Sequence, residues 1–251
     1  MQTLYKKPAA IFDHIPNMFC PGCGHSIICR LIAECVEELD IQKDVIFIIP
    51  IGCGGMMGYY LNLDAVSALH GRAPAVATGV KRMRPDKVVI CFQGDGDLAS
   101  IGTAETIHAA NRGENFTTIF ANNTVFGMTG GQMAPTTLVG QRSTTTVGGR
   151  DPARHVGYPL DMCGLLNQLK APQYIERCAL DKVSNIRKAK AAIKRALRIQ
   201  MAGLGYSFVE LLGACPTQLG LSPLKSMERI GQEELTVFPL GIYREPEEEV
   251  L

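Results

Sequence analysis

Short apolar and β-branched runs recur along the chain at Val45 to Ile49, Val88 to Phe92, Phe116 to Phe120, Tyr174 to Cys178 and Tyr206 to Leu212. Their near-continuous apolarity, in place of strict alternation, predicts parallel strands covered on both faces. Helical patterns lie between them. Ser26 to Leu39 gathers Ile27, Ile28, Leu31, Ile32, Cys35 and Leu39 on one side, and Thr103 to Asn111, Leu160 to Leu169 and Ser184 to Met201 follow. Strand alternating with helix predicts an α/β fold, a mostly parallel open sheet with helices on both faces. One domain over residues 1–251 is the expectation at this length. The Thr-, Gly-, Pro- and Arg-rich stretch from Gln132 to Tyr158 reads as a long loop, either functional or disordered. From Thr217 onward periodicity is weak, and this C-terminal extension is expected to lie on a partner or hang free. The last long helix carries Arg187, Lys188, Lys190, Lys194, Arg195 and Arg198 opposite an apolar stripe. A solvated face is the plain reading, and docking of an acidic protein the sharper one.

Composition narrows the function classes. Lys and Arg total 25 against 24 acidic residues, a net charge of +1, so no global field draws the chain to nucleic acid or a membrane surface. The longest strongly apolar run, Val45 to Ile51, is far short of the roughly 18 residues of a membrane span, and no signal-peptide pattern opens the sequence. A cytoplasmic protein is expected. In that reducing setting disulfides are rare, so nine cysteines suggest that some bind metal or do redox chemistry.

Gln93, Gly94, Asp95, Gly96 and Asp97 directly follow the strand Val88 to Phe92 and precede a helix. Ligands bind such sheets at the carboxyl ends of parallel strands. Gly94 and Gly96 allow close approach of a phosphate to backbone amides, yet Asp95 between them would repel a bare one. A divalent cation bridging carboxylate and phosphate resolves the conflict. The next strand ends in Ala121, Asn122, Asn123 and Thr124, a second polar loop at the same sheet edge. Asp95, the amide oxygen of Asn123 and a backbone carbonyl near Val125 could supply the protein share of a Mg²⁺ shell. A G-D-G triplet alone is weak, because aspartate between glycines is common in turns. Strand, G-D-G, helix, strand and N-N in this order, with 25 residues between Gly96 and Asn122, is far more specific. The layout resembles the cofactor motif of thiamin diphosphate enzymes. That resemblance implies that Asp95 and Asn123 hold the metal and that Gly94, Gly96, Asn122 and Thr124 line the diphosphate.

Cys20, Pro21, Gly22 and Cys23 form a tight knuckle ahead of a helix. A zinc ribbon would need a second close pair, which the chain lacks, and a thioredoxin-like site would need a preceding strand, which is not evident. An iron-sulfur cluster takes four thiolates that can come from distant segments. Cys53, in Gly52 to Gly55, and Cys215, before Pro216, sit in loops after strands, as close metal contact prefers. Cys29, Cys35, Cys91, Cys163 and Cys178 fall on helices or strands and read as packed core thiols.

Together, C-P-G-C-G-H at Cys20 to His25, G-C-G-G at Gly52 to Gly55, H-G-R-A at His70 to Ala73, G-D-G-D at Gly94 to Asp97, N-N at Asn122 and Asn123, G-M-T-G-G-Q at Gly127 to Gln132 and C-P-T at Cys215 to Thr217 resemble the β subunit of 2-oxoacid:ferredoxin oxidoreductases over nearly the whole chain. The resemblance implies a 4Fe-4S cluster on Cys20, Cys23, Cys53 and Cys215 beside thiamin diphosphate and Mg²⁺. Asp97, Gly127, Met128 and Thr129 join the expected cofactor-binding residues. His25, His70 and Arg72 become candidate catalytic groups, each with a plain alternative: a helix-start histidine, a loop anchor and a structural ion pair.

The implied reaction is oxidative decarboxylation of a 2-oxoacid to acyl-CoA and CO₂, with ferredoxin as electron acceptor. The implied partners are an α subunit carrying the pyrimidine-binding domain, together with γ and ferredoxin-like δ subunits. Loops Gly54 to Tyr59 and Gly127 to Gln132 should face the thiamin. They offer Met56, Met57, Tyr59 and Met128 but no Lys or Arg, which favours branched-chain or other apolar 2-oxoacids over 2-oxoglutarate. The rivals are a 2-oxoglutarate-specific subunit, a cluster-free thiamin-dependent decarboxylase subunit, and an electron-transfer or zinc module without catalysis.

Overall fold

The computed structural model describes residues 6–247. Helix α1 (Gly24–Glu38) leads into strand β1 (Val45–Ile49), the short helix α2 (Met57–Tyr60), edge strand β2 (Asp64–Ser67) and helix α3 (Ala73–Met83). Strand β3 (Val88–Gly94) runs into a π-helical turn at Gly96–Ile101 and helix α4 (Thr103–Asn111). Strand β4 (Thr117–Asn122) is followed by a small hairpin of β5 (Val125–Phe126) and β6 (Gln132–Met133). Helix α5 (Met162–Asn167), strand β7 (Tyr174–Ala179), helix α6 (Val183–Met201) and strand β8 (Ser207–Leu212) complete the body. Helices α7 (Pro216–Leu219), α8 (Pro223–Arg229) and α9 (Leu235–Val237) and strand β9 (Gly241–Arg244) form the C-terminal segment.

The main sheet has seven strands in the order β2-β1-β3-β4-β8-β7-β9, all parallel except β9, which runs antiparallel to β7. The predicted mostly parallel open sheet is thus present. Alternate residues feed two cores. Phe47, Ile90, Phe92, Ile119 and Val209 pack with α1 and α6 on one face. Ile48, Val89, Cys91, Phe120 and Phe208 pack with α3, α4 and α5 on the other. Burial on both faces is why these strands read as continuous apolar runs.

The C-terminal segment departs from expectation. It does not hang free: β9 extends the sheet, and Phe238 is fully buried in a small core with Ala179, Leu212 and Ile230. Elements of three to seven residues leave no periodicity to read. The chain ends in an acidic run, Glu247 to Glu249, of which Glu248 and Glu249 lie outside the described residues. The stretch from Gln132 to Tyr158 is irregular but ordered around one buried cation. The Arg150 guanidinium donates to the carbonyls of Pro135, Thr137, Val156, Gly157 and Tyr158 at 2.6–3.1 Å. The basic stripe of α6 is partly paired within the chain. Lys190 meets Glu34 and Glu38 of α1, Lys194 meets Glu38, and Arg195 meets Glu245.

β1 leads to β2 on one side and β3 lies on its other side, so the topology switches direction between β1 and β3. In open α/β sheets a crevice for ligands opens at such a point, outside the carboxyl ends of the strands. The loops after β1, β3, β4 and β8 all emerge at that edge. Among the described residues no helix is long and apolar enough to cross a membrane.

Candidate active site

A cavity of about 110 Å³ occupies the switch point. Its walls come from the loop after β1 (Ile51, Gly52, Cys53 and Gly54), the turn after β3 (Gly94 to Asp97), the loop after β4 (Asn123 and Val125 to Thr129), and His25 and His70. The sequence placed most of these residues here; Ile51 and Phe126 it did not. Phe126 explains a glycine. A Cβ on Gly96 would run into the Phe126 ring, so Gly96 admits that ring against the turn, whereas a Cβ on Gly94 would have only Ala121 O near it, at 4.0 Å. Gly94 therefore leaves the open cradle that a phosphate needs.

Asp95 anchors the floor. Its carboxylate is buried and accepts hydrogen bonds from the backbone amides of Gly96 (2.8 Å), Asn123 (3.3 Å) and Val125 (3.0 Å) and from the Thr136 hydroxyl (3.2 Å). Burial nevertheless pushes its carboxyl up to about 7, the donors offsetting only part of the lost hydration. The Asn123 amide oxygen faces Asp95 Oδ2 at 3.2 Å and Val125 O at 2.7 Å, oxygen against oxygen. A rotated amide would donate across both gaps, and a cation would fill the space among all three. Octahedral Mg²⁺, with oxygens at about 2.1 Å, sets neighbouring ligand oxygens about 3 Å apart. The donor set is oxygen-only and carries one carboxylate, so the residues present fit Mg²⁺ bound jointly with a diphosphate.

Asn122 and Thr124 do not line the cavity. Both are fully buried behind its wall, and their polar atoms are taken by the protein: Asn122 Nδ2 donates to Glu210 (2.8 Å), and Asn122 Oδ1 accepts from Thr124 N (3.2 Å). They shape the metal loop from behind. Asp97 lines the cavity, but its carboxylate accepts from Gly71 N and Gln93 Nε2 (both 2.7 Å) and from His70 Nδ1. A carboxylate partner fixes the proton on Nδ1 and leaves Nε2 as the free ring nitrogen of His70. Arg72 departs from its expected role. It is absent from the cavity wall, and its guanidinium pairs with Glu105 and the carbonyl of Ile101. His25 does line the cavity, between Phe19 and Phe92, with burial holding its ring down to about 4 and therefore neutral.

The four loop cysteines converge beside this cavity. A Cβ on Gly127 would touch Cys53 Sγ at 3.4 Å and Cys215 Sγ at 3.5 Å, so a glycine lets the loop pass between two thiols from opposite ends of the chain. The Cys20–Cys23 knuckle closes with Cys23 N on Cys20 O (3.0 Å) and docks through Gly24 N on Ala214 O (3.1 Å), next to Cys215. Burial, and then the charges of the neighbouring thiols, push Cys23 up to about 12 and Cys53 up to about 11. Thiolates here need a cationic centre among them. Among the described residues no three His, Cys, Asp or Glu side chains close around a single ion. The five remaining cysteines are buried in the helix and sheet packing.

Comparison with known proteins agrees with this geometry. Residues 50–211 match the family model described as thiamine pyrophosphate enzyme, C-terminal TPP binding domain. The chain is 36% identical over 209 residues to the 2-oxoglutarate synthase subunit KorB of Methanocaldococcus jannaschii, covering 83% of this chain and 73% of that one. The chain belongs to the 2-oxoacid:ferredoxin oxidoreductase family. It is also 53% identical over 228 residues to the ketoisovalerate oxidoreductase subunit VorA of Methanothermobacter marburgensis, covering 90% of this chain but 47% of that protein, so it spans about half the length of this relative. Its fold matches the 2-oxoglutarate:ferredoxin oxidoreductase from Magnetococcus marinus, solved with 2-oxoglutarate, coenzyme A and succinyl-CoA bound, with a TM-score of 0.76 and 26% identity over all of this chain and 88% of that one.

Loss of the central carboxylate should weaken binding of a diphosphate cofactor in this cavity. Asp95→Ala is expected to abolish Mg²⁺-dependent retention of thiamin diphosphate while leaving iron content unchanged, both measured in one sample. Normal thiamin content in the variant would remove Asp95 from the metal site.

Proposed function

We propose that this chain is the thiamin-diphosphate-binding subunit of an enzyme that oxidatively decarboxylates a branched-chain 2-oxoacid to acyl-CoA and CO₂ and passes the electrons through a 4Fe-4S cluster to ferredoxin. The observation that carries the reading is the shared wall. Gly127 lies between the Cys53 and Cys215 thiols and also lines the cavity that Asp95 and Asn123 floor. A redox centre and a diphosphate site separated by one loop suit an enzyme that must move electrons off its cofactor. They suit neither a cluster-free decarboxylase nor an isolated electron carrier.

Thiamin diphosphate, when bound, supplies the nucleophilic carbon and the electron sink for cleaving a 2-oxoacid, and the protein supplies position, charge and exclusion of water. Asp95, the Asn123 amide and the Val125 carbonyl would hold Mg²⁺. Gly94, Gly96 and the amides of Gly127, Met128 and Thr129 would receive the diphosphate end. Cys20, Cys23, Cys53 and Cys215 would hold the cluster. His70, tied to Asp97 through Nδ1, keeps Nε2 able to accept or give a proton at the cavity edge. His25, neutral and buried between aromatic rings, helps keep that wall dry.

The cavity leaves its rim apolar and open. Ile51 is 42% exposed, Met128 54% and nearby Leu69 79%, which supports a covering α subunit that brings the pyrimidine-binding half; γ and δ subunits complete the proposed complex. For the substrate, higher identity to the ketoisovalerate relative than to the 2-oxoglutarate one, and a cavity wall without Lys or Arg, both favour an aliphatic side chain. Of the methionines and tyrosine expected to face the cofactor, Met128 lines the cavity, whereas Met57 is in the core and Tyr59 is on the surface. Burying the distal carboxylate of 2-oxoglutarate against this wall would cost several kcal/mol, on the order seen for uncompensated buried charges.

The purified complex should reduce a low-potential acceptor in a coenzyme A-dependent manner, with a higher kcat/KM for 2-oxoisovalerate than for 2-oxoglutarate. A preference for 2-oxoglutarate would overturn the substrate reading, and no turnover with any 2-oxoacid would overturn the activity. For the cluster, Cys215→Ser should lose iron because a hard hydroxyl replaces a soft thiolate, while Cys91→Ser should keep it. Equal iron loss in both would mean that unfolding explains the result.

A further inference from the structure

Thr124 stands between two residues of the metal site, Asn123 and Val125, with φ at +64°. A β-branched residue rarely adopts this left-handed conformation, which persists only where surrounding structure holds it. Here every polar atom of Thr124 is held. Its N–H donates to Asn122 Oδ1 (3.2 Å), and its carbonyl accepts from Thr137 Oγ1 (2.6 Å) and Gln141 Nε2 (3.1 Å). Its hydroxyl lies 3.5 Å from Arg229 Nη1. Gln141 and Arg229 are themselves joined, because Arg229 Nη2 donates to Gln141 Oε1 (3.0 Å). Arg229 in turn is fixed by Glu234, fully buried, at 2.7 Å, and by Glu233 at 2.8 Å. A buried fork from α8, in the C-terminal segment, thus reaches the back of a loop whose front faces the cavity.

We propose that Gln141 and Arg229 are positioning residues: they hold Thr124 in its left-handed turn and so keep the Asn123 amide and the Val125 carbonyl aligned with Asp95 for the cation that carries the diphosphate. The proposal rests on the thiamin diphosphate reading of the cavity. Neither residue lines the cavity, and both touch Thr124 directly. The loop could otherwise relax toward an ordinary backbone conformation, which would swing the Val125 carbonyl and its N–H away from Asp95. The buried position of Thr124, with its hydroxyl turned to Arg229, makes it a switchable test point. Glycine adopts the same φ without support.

The experiment uses the full chain purified with the subunits that accompany it, stripped of cofactor by a chelator. Thiamin diphosphate is then titrated at several Mg²⁺ concentrations, and thermal unfolding is followed without cofactor. Gln141→Ala and Arg229→Lys, which keeps a cation beside Glu234 but gives up the fork, should each weaken binding by about tenfold, the scale of one strained backbone residue. In a Thr124→Gly background the same two changes should weaken binding by less than about threefold, because the turn no longer needs the clamp. Lower thermal stability with unchanged affinity, or equal losses in both backgrounds, would overturn the clamp. Wild-type protein that binds no thiamin diphosphate would overturn the functional reading itself, and the clamp with it.

Discussion

Asp95 is a carboxylate taken out of water with no Lys or Arg among its hydrogen-bond partners, and the rest of the site depends on how that charge is held. Burying an uncompensated charge costs several kcal/mol even after relaxation. Three backbone amides and the Thr136 hydroxyl meet part of that cost, and the raised carboxyl pKa is the remainder. The Asn123 amide and the Val125 carbonyl converge on the same point, close to Asp95 Oδ2. A loop that gathers a buried carboxylate, an amide and a carbonyl at one point is suited to ordering around Mg²⁺ and diphosphate.

The sheet makes this arrangement available. Parallel strands deliver the loops after β1, β3, β4 and β8 to one edge, so residues as distant in sequence as Cys53 and Cys215 meet around Gly127. The Cys20–Cys23 knuckle joins them because α1 begins at the end of β8, where Gly24 hydrogen-bonds Ala214. Two buried ion pairs close the back of the site, one within the C-terminal segment and one between β7 and β8 that the segment touches through Tyr243. Arg229 with Glu234 reaches Thr124. Arg177 with Glu210 lies beneath Asn122, and the Arg177 guanidinium also contacts Tyr243 of β9. Removing one partner of such a pair strands a buried charge, typically at a cost of about 3–5 kcal/mol, so this segment belongs to the site and to the stability of the fold together.

The central strands were legible because burial on both faces leaves a continuous apolar run, and their ends fall within a residue or two of expectation at β1, β3, β4, β7 and β8. Edge strand β2 was not, since all four of its residues are exposed and leave no apolar signal. Helix α3 was hidden by Pro74 and Gly79, although proline in the first turn of a helix breaks no hydrogen bond. In the site, Gly94, Asp95 and Asn123 were legible as a glycine and oxygen-donor pair of loops at strand ends, whereas of the same motifs Gly96 makes room for the Phe126 ring and Asn122 packs behind the cavity. Thr136, Gln141 and Arg229 carried no such signal. They act from the irregular loop and the C-terminal segment through contacts that only the folded chain brings together. Of the two roles open to Arg72 in the sequence, a catalytic group or a structural ion pair, the fold makes the ion pair, because α4 brings Glu105 to it.

The most direct test is a crystal structure with thiamin diphosphate and Mn²⁺ in place of Mg²⁺, with data collected where manganese scatters anomalously. One anomalous peak bound by Asp95, the Asn123 amide and the Val125 carbonyl, in contact with the diphosphate, is the predicted result. A diphosphate bound elsewhere, or bound at this edge with no metal peak among those three oxygens, would contradict the account.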